Sequence, residues 1–278
     1  MRKSLVAGPW IGEFGWELLQ WQGIVRAKVS QGNYGNVVVC SYEKSRGMYA
    51  DFATHFVPLP PAFVAAAYPP DGLSVSMRWW NTQRRREGLE TGPVSFDRDR
   101  FTAAFFENYD AAEYDKIWPH FSKTPTSKQA FADWTRPVPV QAKPKLIALV
   151  KRHRSYHSHT KNWPEENWAV LESSLKQRGF AVEVAQPDWE ASLDLFSRCA
   201  LVVGGSTGGM HLASLCRCPH MVWSHANLNC DGVRLRERYR TVWNPHGTAC
   251  YIADITWRPS VPVVLDHIAR AVTTIGRG

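Results

Sequence analysis

The chain has 278 residues, a formal net charge of +8 at neutral pH and 44% hydrophobic residues. This length suits two domains of about 130 residues each, with a core that needs neither disulfides nor a partner. No apolar run reaches the roughly 18 residues that cross a membrane, and the N-terminus lacks a signal-peptide pattern, so a cytoplasmic protein is expected. The positive charge favours anionic partners, such as nucleotide diphosphates, phosphorylated glycolipids or nucleic acid.

The first half of the chain alternates strand and helix patterns. Short apolar runs predict strands at residues 5–8, 36–40 and 56–59. Helical periodicity is found at residues 16–29, 44–54 and, among aromatic residues, 101–114. Strands that alternate with helices are typical of a parallel sheet.

The second half repeats this alternation more clearly. Strands are predicted at residues 146–150, 180–184, 201–203 and 220–223. Helices are predicted at residues 164–178, 190–198 and 210–216, and Gly179 is a typical C-terminal stop for the first of them. Prolines between residues 137 and 144 indicate a linker, so two Rossmann-like α/β domains are expected, at residues 1–142 and 143–278.

The strongest local signal is the glycine-rich turn Gly204–Gly209 between a strand and a helix. Its glycines allow close backbone approach to a ligand, and the helix that follows directs free N–H groups and a positive dipole end at the same place. Thr207 adds a hydroxyl, and His211 lies in the first helical turn. The pattern predicts phosphate binding; a tight turn without ligand and a buried, satisfied histidine are the alternatives.

Metal and disulfide chemistry are not expected. The six cysteines show no C-x-x-C spacing and are interpreted as reduced, packed thiols. The cluster Arg152–His159 follows a strand, where ligands commonly bind, but its histidines have no carboxylate or cysteine close in sequence. The literal D-x-D at residues 97–99 begins a helical pattern, where an N-terminal aspartate is common.

Two segments carry a family resemblance. Gly204–Ala213 resembles the donor-binding signature G-N-D-[ST]-G-x-x-H-x-A of the ADP-heptose:lipopolysaccharide heptosyltransferases, and Lys161–Trp168 is similar to their K-x-W-P-x-x-x-[WF] segment. The resemblance covers residues 146–275 well and the first 60 loosely. It implies the GT-B fold, two such domains facing across a cleft, a nucleotide-sugar donor as co-substrate, no cofactor or metal, and inversion at the anomeric carbon. Ser206 replaces the family's aspartate, so ADP-heptose is not carried over as the donor.

The resemblance also implies roles for individual residues. It gives Lys161, Ser206, Thr207, Gly208, Gly209 and His211 as donor-binding candidates, and the position of Arg152 and Arg154 after a strand adds these two. The family's acceptor base is an acidic residue after the first strand, a position for which Glu13 and Glu17 both qualify. Such a carboxylate takes the acceptor's proton as its oxygen attacks the anomeric carbon, while the cations and the helix end stabilise the departing diphosphate.

The acceptor stays open among a glycan, a glycolipid, a protein and a modified base in DNA. A basic, aromatic segment at residues 78–86 contains Arg84, Arg85 and Arg86, which are weak candidates for acceptor contacts and equally suit a solvated basic face. Two other functions are compatible with the sequence. One is a non-catalytic sugar- or nucleotide-binding protein on a decayed transferase fold, suggested by Ser206; the other is a sugar-nucleotide epimerase.

Overall fold

A computed structural model of the chain describes residues 2–12, 14–60, 98–119, 128–136, 145–153, 161–225, 229–230 and 233–275. The described residues form two compact units, the first ending at Ala130 and the second beginning at Phe131. Over these ranges no helix has both the length and the apolar character of a bilayer span. The boundary expected at residue 142 lies outside the described residues and stays a prediction.

The first unit is built on a four-stranded parallel sheet. Its strands are β1 (Ser4–Ala7), β2 (Val37–Ser41), β3 (His55–Pro58) and β4 (Tyr114–Ile117), in the order β3-β2-β1-β4. The helical segments are α1 (Phe14–Trp16), a π-helical turn (Glu17–Trp21), α2 (Gln22–Gln31), a 3-10 helix (Glu43–Met48) and α3 (Arg98–Glu107). Strand β1 therefore lies between β2 and β4, and the segment after β1 starts between these two strands.

Two features of this unit differ from the sequence prediction. Residues 44–54, predicted as a helix, contain only the short 3-10 helix Glu43–Met48. Strand β4 was not predicted, because Asp115 and Lys116 interrupt its apolar pattern. In the structure the Asp115 carboxylate accepts hydrogen bonds from Lys3 Nζ at 3.0 Å and from the Tyr34 hydroxyl at 2.9 Å, which satisfies the charge at the edge of the sheet.

The second unit contains a five-stranded parallel sheet. Its strands are β5 (Leu146–Val150), β6 (Ala181–Val184), β7 (Leu201–Gly205), β8 (His220–His225) and β11 (Cys250–Ile255), and a separate antiparallel pair is formed by β9 (Asn229–Cys230) and β10 (Val233–Arg234). Its helices are α4 (Glu165–Gln177), α5 (Trp189–Arg198), α6 (Gly208–Leu215), α7 (Leu235–Thr241) and α8 (Val261–Ile275). The order of the large sheet is β6-β5-β7-β8-β11.

The burial of its strands and of one helix face is consistent with the arrangement of the second unit. Every residue of β5 and β7 is buried, as expected for central parallel strands covered on both faces. Helix α8 packs on the sheet through residues at helical spacing, namely Val261, Val264, Leu265, Ile268 and Ala271. The predicted strands of this half are confirmed, and α4 ends before Gly179, whose φ of +82° is the left-handed conformation that favours glycine.

Candidate functional site

The site in the second unit is defined by the topology of its sheet. Strands β5 and β7 are parallel neighbours, with Val150 paired to Gly204. The chain passes from β5 to β6 on one side and from β7 to β8 on the other, so the connections diverge between β5 and β7. In open α/β sheets, ligands bind at the carboxyl ends of the strands beside such a switch point.

The glycines of the predicted phosphate loop have a packing role at this point. A Cβ on Gly204 would lie 2.8 Å from the Val150 carbonyl oxygen, and a Cβ on Gly209 would lie 2.7 Å from Val150 Cγ1. Both distances are shorter than real side-chain contacts, so any larger residue would push the turn away from β5. Packing alone therefore accounts for two of the glycines, and it brings the start of α6 close to the carboxyl end of β5.

The N-terminus of α6 has hydrogen-bond donors that the helix itself does not pair. Thr207 occupies the N-cap position, and its carbonyl accepts from the N–H groups of Met210 at 3.1 Å and His211 at 3.2 Å. The N–H groups of Gly208 and Gly209, which come earlier, have no acceptor within the helix. The Thr207 hydroxyl does not cap the helix; it is buried and has no hydrogen-bond partner among the described residues. Two amides and a hydroxyl at the positive end of a helix make an anion-binding arrangement.

His211 is a neutral member of this site. Its ring is 92% buried, lying 5.6 Å from the Tyr239 ring and 4.9 Å from the Trp243 ring between centroids. Burial, with a smaller contribution from His220, lowers the pKa of His211 to about 3. Nδ1 of His211 has no hydrogen-bond partner among the described residues. The imidazole can therefore exchange a hydrogen bond with a ligand but adds no positive charge at neutral pH.

Ser206 occupies the position of the family's aspartate. Its Oγ accepts a hydrogen bond from the Tyr239 hydroxyl at 3.3 Å, and its backbone N–H donates to the Trp223 carbonyl at 2.9 Å. Burial raises the pKa of Tyr239, so this hydroxyl pair stays neutral. The site thus carries a hydroxyl pair where the family has a carboxylate.

A second group of candidates lies in the loop that precedes α4. Lys161 Nζ lies 4.5 Å from the centroid of the Trp257 ring, in the loop that follows β11. Arg152 donates from a terminal guanidinium nitrogen to Asn162 Oδ1 at 2.9 Å, and Arg258 Nε donates to the Asn162 carbonyl at 3.0 Å. The contacts connect the segment after β5, the loop before α4 and the loop after β11. Lys161 and Arg152 therefore belong to one cluster of residues that is connected by hydrogen bonds and a cation–π contact.

In the first unit, Glu17 is fully buried at the start of the π-helical turn. Its Oε1 accepts from the hydroxyls of Ser41 and Tyr49, the latter at 2.8 Å, and its Oε2 accepts from the Ser45 hydroxyl at 2.8 Å. Burial raises the pKa of Glu17, and the three hydrogen bonds oppose that rise. Both carboxylate oxygens are therefore engaged in joining the helical segment to the end of β2 and the turn after it.

Several predicted site residues lie outside the described residues: Glu13, Arg84, Arg85, Arg86 and Arg154. The structure adds Asn162, Tyr239 and Trp257 beside the candidates, none of which the sequence indicated. Asn162 is the unspecified second position of the K-x-W-P segment, whereas Tyr239 and Trp257 lie in later segments that no local motif marks. Among the described residues, no group of three or more His, Cys, Asp or Glu side chains is arranged to hold a metal ion.

Comparison with known proteins gives a match in three dimensions only. No protein-family model matches the sequence, and no curated protein matches it. The structure is similar to a glycosyl transferase family 9 protein from Veillonella parvula, at 9% identity over 98% of each chain with a TM-score of 0.55. It is also similar to the E. coli heptosyltransferase WaaC with ADP, at 13% identity over 97% of this chain and 99% of that one with a TM-score of 0.54.

A third similar structure is the iron-containing heptosyltransferase TibC of enterotoxigenic E. coli in complex with ADP-D-beta-D-heptose. It is 13% identical over 99% of this chain and 77% of that one, with a TM-score of 0.52. The chain has the fold of these glycosyltransferases over nearly its whole length. For the fold, this confirms the resemblance to heptosyltransferases that the motifs indicated.

Proposed function

We propose that the chain is a glycosyltransferase that moves a sugar from a nucleotide-diphosphate sugar to an acceptor hydroxyl. The observation that carries this proposal is the N-terminus of α6 beside the β5–β7 switch point. There the amides of Gly208 and Gly209, which have no acceptor within the helix, and the buried Thr207 hydroxyl, which has no hydrogen-bond partner among the described residues, form a set of donors for an anion. Fold neighbours that contain ADP or an ADP-sugar support a nucleotide diphosphate as the anion.

The proposed chemistry follows from where negative charge develops. As the bond from the sugar to the diphosphate breaks, charge collects on the departing phosphate oxygens. The helix end, Lys161 and Arg152 supply the opposing charge and dipole, and neutral His211 supplies a hydrogen bond. This arrangement calls for no metal ion, and transfer inverts the anomeric carbon, as the family resemblance implies.

The acceptor base is proposed to be one of the two glutamates that follow β1. Using Glu17 would require the carboxylate to release hydroxyls that now occupy both of its oxygens. This geometry favours Glu13 as the base and a structural role for Glu17. The proposed acceptor is a hydroxyl of a glycan or glycolipid.

The first test is a thermal-shift screen with ADP, GDP, UDP, CDP and dTDP and their common sugar conjugates, with and without EDTA. Bound ligand raises the melting temperature as ligand exceeds its dissociation constant. We expect an EDTA-insensitive shift for one nucleotide that is lost in Lys161→Ala. Lys176→Ala is the matched control, because Lys176 is an exposed lysine on α4 that pairs with Glu172. No shift with any nucleotide at millimolar concentration would overturn the proposal.

A second candidate function is favoured by the hydroxyl pair of Ser206 and Tyr239. This pair occupies the place of the carboxylate in the heptosyltransferase signature. That candidate is a non-catalytic nucleotide- or sugar-binding protein. A turnover assay with the nucleotide sugar found in the screen distinguishes the functions. Release of nucleoside diphosphate with glycan or glycolipid acceptors supports transfer, whereas a thermal shift without turnover supports binding alone. Sugar transferred to DNA would replace the proposed acceptor, and an epimerised sugar formed without acceptor would indicate the epimerase.

A further inference from the structure

Two cysteines of the second unit lie close together away from the candidate nucleotide site. Cys199 Sγ and Cys218 Sγ are 3.5 Å apart, although the residues are 19 positions apart in sequence. Cys199 follows the last residue of α5 and is partly exposed, whereas Cys218 is 4% exposed. Both are free thiols in the structure. A disulfide requires the sulfur atoms to approach by only about 1.5 Å more.

The backbone holds Cys218 in this position. The helix predicted at residues 210–216 ends in the structure at Leu215, and the chain then reverses. The N–H of Arg217 donates to the Ser214 carbonyl at 3.2 Å, and the N–H of Cys218 donates to the Ala213 carbonyl at 2.9 Å. This pair of bonds is a Schellman motif, with Arg217 at a φ of +54° where glycine is usual.

The Arg217 side chain fixes the same reversal from outside. Its Nε donates to Asp133 Oδ2 at 2.6 Å, and a terminal nitrogen donates to the His246 carbonyl at 3.1 Å. Arg217, the residue before Cys218, is therefore hydrogen-bonded to the segments that contain Asp133 and His246. Because the turn is restrained, the contact between the two thiols does not depend on a mobile loop end.

We propose that Cys199 and Cys218 form an oxidation site that closes to an intramolecular disulfide in the presence of a peroxide. Hydrogen peroxide first converts the partly exposed Cys199 thiol to a sulfenic acid and releases one water. The Cys218 sulfur then attacks the Cys199 sulfur, the S–O bond breaks, and the hydroxyl leaves as a second water with the Cys218 proton. The sum is two thiols and one peroxide giving one disulfide and two waters.

The environment sets the order of these steps. The hydrogen bond with Cys199 and burial raise the pKa of Cys218 well above its ordinary value, so Cys218 is the poorer nucleophile toward peroxide. Oxidation of Cys199 removes that thiol contact and presents Cys218 with an electrophilic sulfur. Nearby Cys216 is buried, and burial raises its pKa to about 12, so it does not compete.

The Cys199–Cys218 disulfide would close a loop that contains part of the candidate nucleotide site. The loop between Cys199 and Cys218 contains β7, the glycine-rich turn and all of α6. The same segment carries Thr207 and His211 of the candidate nucleotide site. Since the inference depends only on the two thiols, it can succeed or fail whatever the outcome of the nucleotide screen.

The test is a peptide map of the full chain after treatment with hydrogen peroxide and alkylation of the remaining thiols. Trypsin cuts after Arg198 and Arg217, which separates Cys199 from Cys218 but leaves Cys216 with Cys199 and Cys230 with Cys218. We expect a cross-linked pair of these two peptides that dithiothreitol converts back. Fragment ions should place the bond at Cys199 and Cys218.

Two variants make the test decisive. Cys216→Ser is the matched control and should retain the cross-link. Cys218→Ser should abolish it and leave Cys199 as a sulfenic acid that dimedone traps. The inference is overturned if wild-type Cys199 proceeds to the sulfinic acid without cross-linking, or if the link forms through Cys216 or Cys230.

Discussion

The Lys161 ammonium lies over the Trp257 indole, 4.5 Å from its centroid. The two loops that carry these residues are also joined by bonds from Arg258 Nε to the Asn162 carbonyl at 3.0 Å and from Trp163 Nε1 to the Pro259 carbonyl at 2.7 Å. A long lysine side chain loses rotamer freedom when it is held in one place. Contact with the indole restricts the Lys161 side chain, so Trp257 positions the proposed phosphate-binding cation.

Replacement of Trp257 should therefore weaken nucleotide binding. Cation–π contacts contribute about 0.5–2 kcal/mol, so Trp257→Ala should raise the Kd by a few-fold up to about thirty-fold, and Trp257→Phe should retain part of the affinity. Isothermal titration with the nucleotide identified in the screen measures both values. If Lys161→Ala weakens binding and Trp257→Ala does not, Trp257 has no positioning role.

Loss of the Glu17 carboxylate should destabilise the first unit. In Glu17→Ala three buried hydroxyls lose their acceptor, with an expected cost of about 3–5 kcal/mol in the free energy of unfolding. Glu17→Gln keeps one acceptor oxygen and should cost less. Urea unfolding measures the change, and Glu43→Ala, at an exposed glutamate paired with Arg46, is the control. A Glu17→Ala protein that unfolds at the wild-type midpoint would instead leave this carboxylate free for catalysis.

Two buried histidines should make stability depend on pH. Burial lowers the pKa of His211 to about 3 and of His220 to about 4, whereas an unfolded histidine titrates near 6.5. Between pH 6.5 and about 4 the unfolded chain therefore binds more protons, so stability falls as pH falls through this window. Each histidine contributes up to about 1.4 kcal/mol per pH unit.

Denaturant unfolding between pH 7 and 5 tests this prediction. His211→Asn should reduce the pH slope by about one proton, because the proton that His211 takes up on unfolding is then lost. His55→Asn, at an exposed histidine of the first unit, is the matched control. A slope that does not change in His211→Asn would show that this imidazole is not held neutral in the native protein.

Contact between Gly209 and Val150 should appear as an energetic coupling. Gly209→Ala places a methyl 2.7 Å from Val150 Cγ1 and should cost about 1–3 kcal/mol, less the gain in helix propensity from alanine. Val150→Ala removes the clashing methyl at the expense of buried apolar surface. The double variant should be more stable than the sum of the single effects by about 1 kcal/mol, measured as a double-mutant cycle. Additive costs would show that α6 shifts away from β5 without strain.

Particular elements of the fold could be read from the sequence because their determinants are local. The apolar runs at 146–150 and 201–203 gave two buried strands, and Pro164 and Gly179 bracketed α4 closely. The glycine-rich turn correctly predicted the end of a strand and a helix N-terminus. Its glycines were expected to approach a ligand, and the structure shows two of them packed against Val150. Strand β4 could not be found this way, because its pairing with β1 depends on partners for Asp115 that are remote in sequence.

The sequence by itself thus determined the α/β alternation and the glycine-rich turn between a strand and a helix, and it limited the proposed base to two glutamates. Only the tertiary structure showed the hydrogen bond between Tyr239 and Ser206 and the cation–π contact between Lys161 and Trp257. The same is true of the three hydroxyls that donate to the Glu17 carboxylate and of the contact between Cys199 and Cys218. The physical reason is the sequence separation between the residues that interact. Periodicity, caps and turns are set by neighbours along the chain, whereas these contacts form only after parallel strands bring distant loops to the same edge or helices pack.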